Sequence, residues 1–147
     1  MDGIIFDVDG TLWDSVEVVA ESWNLAIKEN SDLEPNLNRE ILQGLFGKTM
    51  DEIAAGVFPD LDPDSRRKLM DICFDYENRY LETHPGVYYE GVMDTLKELA
   101  LEYPLFIVSN CQCGYIEVMM KGAGMEPYIK DFLCFGQTQT SKDQTDR

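Results

Sequence analysis

Apolar residues Ile4, Ile5 and Phe6 form a short run closed by Asp7, and the pattern predicts a buried strand over 3–7. Beyond it, Val18, Val19, Trp23, Ala26 and Ile27 recur at helical spacing. They predict a helix with Asp14 or Ser15 as N-cap and Asn30 as its stop. A second helix is expected over 38–45. Thr49-Met50-Asp51-Glu52 reads as a capping box for a third helix through Val57. Asp62-Pro63 supplies an N-cap with proline at the first helical position. The helix it opens carries Leu69, Ile72, Cys73, Tyr76 and Tyr80 on one face and stops before His84-Pro85-Gly86, a turn and expected hinge.

After that turn the pattern changes. Val92, Leu96, Leu99 and Ala100 predict an amphipathic helix, and 105–109 (Leu-Phe-Ile-Val-Ser) a buried strand. A further helix is expected over 115–121, ended by Gly122 and Gly124, then a short helical turn at Pro127 and a third strand over 133–135. A strand, a block of helices and then α-β-α-β imply an α/β fold with a parallel sheet and a helical insertion after strand one. From Gly136 to Arg147 there is no large apolar residue, and no further strand is expected there.

Composition narrows the function classes. The chain has 147 residues, 44% of them hydrophobic, enough for one domain with a real core. Its net charge is −16, from 28 acidic and 12 basic residues. That disfavours nucleic acid and anionic membrane surfaces as partners, because both need a basic face. A small anionic substrate stays open, since a bound metal and a few local cations can reverse the field inside one pocket. No run is long enough for a membrane span and no signal-like segment opens the chain, so a cytoplasmic location is expected. Cys73, Cys111, Cys113 and Cys134 form no C-x-x-C pair and are expected as thiols. With one histidine in the chain, Cys111 and Cys113 make a poor metal site.

The chemistry concentrates at Asp7-Val8-Asp9-Gly10-Thr11. Alternate residues of a strand point the same way, so both carboxylates can face one pocket. Two such groups repel unless a divalent cation or a shared proton intervenes, which suits a reactive site better than a structural one. A calcium loop would want an acidic or amide residue at Thr11, glycine at Leu12 and glutamate at Val18, and fails on all three.

A strand followed by D-x-D-G-T resembles the first motif of the haloacid dehalogenase (HAD) superfamily of phosphohydrolases. Phe106-Ile107-Val108-Ser109-Asn110 resembles its second motif, a strand ending in Ser or Thr, and Ser141-Lys142 its downstream lysine. The helical insertion resembles the small cap of the phosphoglycolate phosphatase and β-phosphoglucomutase subgroup, with Gly47-Lys48 like that cap's specificity loop. The resemblance covers nearly the whole chain. It implies a Rossmann-like core at 1–13 and 86–147 and a helical cap at 14–85.

It also implies roles. Asp7 is the expected nucleophile, forming an aspartyl-phosphate, and Asp9 the general acid and base. Asp7 and the Asp9 backbone carbonyl are expected Mg²⁺ ligands, with the ion neutralising the phosphoryl oxygens. Gly10 allows close backbone approach, and Thr11 braces the turn through its hydroxyl. Ser109 and the Asn110 N–H would bind the phosphoryl group, although the pair also suits a helix cap. Lys142 would offset charge on the phosphoryl group and Asp7, and Lys48 would reach the substrate's remote end; each also reads as a solvated lysine. Trp13 fits either the pocket wall or the core, and His84 fits the hinge turn.

The family's fourth motif, a Gly-Asp after a fourth strand that lies beside strand one, is missing, and Asp143 and Asp146 do not replace it. The expected core is therefore incomplete. Strand one becomes an open edge, expected to pair with a second copy or a complementing fragment. The leading expectation is a Mg²⁺-dependent phosphomonoesterase acting on a small phosphorylated metabolite. The alternatives are a non-catalytic remnant serving as a binding module and a phosphomutase.

Overall fold

The structure is a computed structural model that describes residues 2–134. Lys142, Asp143 and Asp146 lie outside the described residues.

A three-stranded parallel sheet forms from β1 (Ile4–Phe6), β4 (Leu105–Val108) and β5 (Asp131–Leu133), in the order β1-β4-β5. The register places Ile4 opposite Leu105 and Phe6 opposite Ile107, then Phe106 opposite Asp131 and Val108 opposite Leu133. Parallel neighbours need crossover connections. Between β4 and β5 the crossover is α6 (Tyr115–Ala123) followed by a 3₁₀ turn at Glu126–Tyr128. Among the described residues β1 pairs on one side only, and Ile5 on it is 58% exposed.

β5 begins two residues earlier than the apolar run Leu133-Cys134-Phe135 suggests. Pairing to β4 decides this: Lys130 N–H donates to Leu105 O (2.8 Å) and Ser109 N–H to Leu133 O (3.1 Å), fixing the register from both ends. Gly122 also departs from expectation, since α6 runs through it and stops at Gly124, whose φ is 70°. Gly122 is needed for space instead: a Cβ there would collide with the Tyr88 hydroxyl, which is held by a 2.6 Å bond to Met119 O.

Between β1 and β4 the chain makes a helical excursion. It leaves through β2 (Trp13–Asp14) and returns through β3 (Val87–Tyr88), paired antiparallel as Trp13 with Tyr88 and Asp14 with Val87. Between them lie α1 (Val16–Asn30), α2 (Arg39–Gln43), α3 (Met50–Val57) and α4 (Pro63–Thr83); α5 (Val92–Ala100) follows β3. The Thr49/Glu52 capping box forms as expected, and Asp62 caps α4 through Ser65 N–H with Pro63 in its first turn. Asn38 caps the shorter α2. The buried face of α4 is Leu69, Met70, Cys73, Phe74, Glu77 and Leu81, turned slightly from the stripe the spacing suggested, with Ile72, Tyr76 and Tyr80 half-buried. The Tyr80 ring stacks on His84 at 4.1 Å in the closing turn.

One hydrophobic cluster sits among the inserted helices, centred on Trp23, Leu42, Ile53, Met70 and Phe74. A second lies against the sheet, centred on Leu12, Trp13, Leu105, Ile107, Ile116 and Met119. Trp13 belongs to this core, fully buried against Tyr88 and Tyr115. Cys113, just before α6, is disulfide-bonded to Cys134, just after β5, with Cα atoms 5.7 Å apart. The expectation of four thiols is thus corrected. Adjacent parallel strands bring their ends together, which chain spacing does not reveal. Cys73 and Cys111 are thiols and buried.

Candidate active site

The segment after β1 folds back tightly: Thr11 N–H and Leu12 N–H both donate to Val8 O (3.1 and 2.9 Å), and Gly10 N–H donates to Trp13 O (3.0 Å). Gly10 adopts φ 78°, a left-handed conformation that favours glycine. This turn brings Asp7 and Asp9 to the wall of one cavity of about 280 Å³ at the C-terminal end of the sheet. Ser109 and Asn110, from the end of β4, line the same cavity, as do Gly47 and Lys48 from the loop before α3. Of the residues singled out from sequence, Asp7, Asp9, Lys48, Ser109 and Asn110 therefore meet. Thr11 is exposed and absent from the lining; it braces the turn through its backbone N–H.

Asp9 is held by residues that pattern alone did not single out. Tyr115, at the start of α6, donates its hydroxyl to Asp9 Oδ1, and Ser15 Oγ lies 3.5 Å from the same oxygen. Ser15 and Tyr115 are themselves joined at 2.8 Å, and the Trp13 indole N–H donates to Tyr115 at 3.1 Å. Ser15 thus occupies the N-cap position of α1 without capping it; Asp14 accepts from Val16 N–H instead. Burial pushes the Asp9 carboxyl up to about 6; the Tyr115 hydroxyl pulls it down and the Asp7 charge pushes it up again. Burial and the Asp9 charge push the Tyr115 phenol well above its usual value.

On the far wall, Glu77 of α4 points inward, 4% exposed. Its carboxylate accepts from the Trp23 indole (2.8 Å) and from the Gln112 amide. Burial pushes it up to about 8, with Gln112 lowering it and the Asp9 charge raising it. At the rim, Arg39 is engaged by Asp14 (3.0 Å) and Glu17 (3.2 Å). Asn110 donates to Gly47 O at 2.8 Å, and Asn78 donates to Cys113 O at 3.0 Å. Ser109, 6% exposed, has its hydroxyl beside the Cys111 thiol, whose titration burial drives far upward. One signal for Glu77 was available: an acidic residue at i+4 from Cys73 sits within an apolar helical stripe. No local signal marks Tyr115 or Gln112.

The family profile for haloacid dehalogenase-like hydrolases matches residues 4–146. This chain belongs to that family. Its fold is shared with a predicted phosphoglycolate phosphatase from Haemophilus somnus (TM-score 0.78, 22% identity, 91% of this chain and 62% of that one). A haloacid dehalogenase-like family hydrolase from Streptococcus pneumoniae superposes similarly (TM-score 0.73, 21% identity, 91% and 61%). So does a putative HAD-hydrolase from Bacillus subtilis bound to magnesium (TM-score 0.62, 21% identity, 94% and 66%). The chain thus spans about three-fifths of the length of the first two structures. No curated protein sequence matches it. The three-stranded parallel sheet and the helices α1–α4 inserted between β1 and β4 bound the cavity. Among the described residues no helix is long and apolar enough to cross a membrane.

Proposed function

We propose that this HAD family member is a Mg²⁺-dependent phosphomonoesterase acting on a small phosphorylated metabolite, of the phosphoglycolate phosphatase kind. The observation that carries the reading is the convergence of Asp7, Asp9, Ser109 and Lys48 on one cavity. Asp9 with a carboxyl titrating near 6 suits a general acid. An Asp7 oxygen attacks phosphorus while Asp9 gives its proton to the departing alcohol oxygen, so the ester bond breaks and an aspartyl-phosphate forms on Asp7. Asp9 then takes a proton from water, and the water oxygen displaces Asp7 from phosphorus, leaving inorganic phosphate. Ser109 and the Asn110 N–H bind phosphoryl oxygens, and Lys48 meets the remote end of the substrate. Lys142 completes the phosphoryl site in this reading.

The residues present fit magnesium. Mg²⁺ is commonly held by one or two carboxylates together with substrate phosphate and water, and Asp7 and Asp9 face one cavity with mutual repulsion that a cation relieves. Asp7 and the Asp9 carbonyl would hold it, and it would supply charge neutralisation at the phosphoryl oxygens. The same reading takes 1–13 and 86–147 as core and 14–85 as cap, and has the open side of β1 pairing with a second copy or a complementing fragment.

The deciding experiment is turnover of 4-nitrophenyl phosphate by the purified chain with and without Mg²⁺. Expected are metal-dependent release of phosphate and its loss in Asp7→Asn. Equal rates in wild type and Asp7→Asn remove Asp7 as nucleophile, and absence of turnover favours a non-catalytic binding module.

A further inference from the structure

Four hydrogen bonds fasten the loop after β4 to the cap. Asn110 Nδ2 donates to Gly47 O (2.8 Å), Gln112 Nε2 to the Glu77 carboxylate and to Asn78 Oδ1 (2.9 Å), and Asn78 Nδ2 to Cys113 O (3.0 Å). The loop occupies 109–114, between the end of β4 and the start of α6, and opens with Ser109 and Asn110. Its centre is Gln112, 8% exposed, anchored on a carboxylate that is 4% exposed. A second donor, the Trp23 indole from α1, fixes the other oxygen of that carboxylate at 2.8 Å. The path from α1 through Glu77 and Gln112 to the Ser109 loop is therefore continuous and buried.

We propose that Glu77 is a positioning residue: through Gln112 it fixes the loop carrying Ser109 and Asn110 and sets the cap in register on the core. The proposal rests on the phosphoryl-binding reading of that loop. Physically, a buried carboxylate with two donors has one stable arrangement, because releasing either donor leaves a desolvated polar group unpaired. Gln112 bonds Glu77 and Asn78, neighbours on α4, through the two hydrogens of one amide, so the loop is tied to α4 at two adjacent points. None of these side chains needs to touch substrate for this to hold.

The test is amide hydrogen exchange on the full chain, read peptide by peptide, for Glu77→Ala, Gln112→Met and the double variant. Gln112→Met keeps the length of the side chain and removes its hydrogen bonds. It lies in the loop rather than in the cap, so it decides the matter even where Glu77→Ala fails to fold. The expected result is exchange at least tenfold faster across 109–114 and across 46–49 in each single variant, with β1 and β4 unchanged. The double variant should fall short of the sum of the single effects, because the Gln112–Glu77 bond is lost in each single variant and counted twice in that sum. Faster exchange confined to α1 and α4, with 109–114 unchanged, overturns the proposal and leaves Glu77 a structural residue of the cap. With 4-nitrophenyl phosphate, Gln112→Met should lower kcat/KM, because a looser 109–114 loop weakens the hold of Ser109 and the Asn110 N–H on the phosphoryl group. A chain that never turns over defeats the phosphatase reading, while the exchange data still decide the role of Glu77.

Discussion

The Tyr115 hydroxyl donates to the Asp9 carboxylate across 106 residues of sequence, joining the first turn of α6 to the loop after β1. This bond stabilises the ionised form of Asp9 and so opposes burial, which pushes its titration up to about 6. Removing it in Tyr115→Phe should move the Asp9 titration higher still. In its proposed role as general acid Asp9 works while protonated, so that role predicts an alkaline limb of kcat/KM shifted to higher pH in the variant. Trp13 and Ser15 lose their partner as well, and stability should fall by about 1–3 kcal/mol. A pH–rate profile and urea denaturation check the two parts separately.

Glu77 should make the fold less stable as pH rises. Its carboxyl titrates at about 8 in the folded chain against 4.5 as a free side chain. Between these values the folded state binds more protons than the unfolded one, so stability is greatest below pH 4.5 and declines as pH climbs towards 8. The many other carboxylates add their own slope. The clean measurement is therefore the difference between wild type and Glu77→Gln in urea midpoint, followed from pH 5 to pH 8. It should shift towards the variant as pH rises, and a difference independent of pH would contradict this account.

Gly122→Ala should destabilise the protein, although alanine is the better helix former by roughly 1 kcal/mol. The added methyl meets the Tyr88 hydroxyl, which is tied to Met119 O. The expected cost is about 1–3 kcal/mol, as for other overpacked sites. Tyr88→Phe in the same background should recover much of it, and thermal unfolding of the single and double variants provides the comparison.

The Cys113–Cys134 bridge leaves Cys73 and Cys111 as thiols. Thiol titration of the protein unfolded without reductant should count two, and four after reduction. The bridge closes a segment of 21 residues, for which loop entropy suggests stabilisation of roughly 3 kcal/mol. Cys134→Ser should lower stability by a comparable amount.

Elements written in local chemistry were legible from the amino-acid order. The strand ending at Asp7, the Thr49/Glu52 box and the Asp62-Pro63 start of α4 each depend on residues within one turn of one another. The motif residues Asp7, Asp9, Ser109 and Asn110 reach one cavity because each follows a strand of the same parallel sheet. What escaped is decided by distant partners. The two-residue strands β2 and β3 have no periodicity to detect, and exist because Trp13 and Tyr88 pack together. Ser15 looks like a cap, yet its hydroxyl finds Tyr115. The start of β5 follows Leu105 O and Leu133 O rather than its own apolar run.

The paired strands at Trp13–Asp14 and Val87–Tyr88 put the departure and return of the inserted helices side by side. The whole helical block is thus mounted on a base one strand-pair wide. α4 has 21 residues and is about 30 Å long. A tilt of about 5° at that base would carry its far end through roughly 3 Å, on the scale of a hydrogen bond made or broken. Any twist in those two short strands would thereby be magnified into a displacement of atomic size at the helical wall of the cavity.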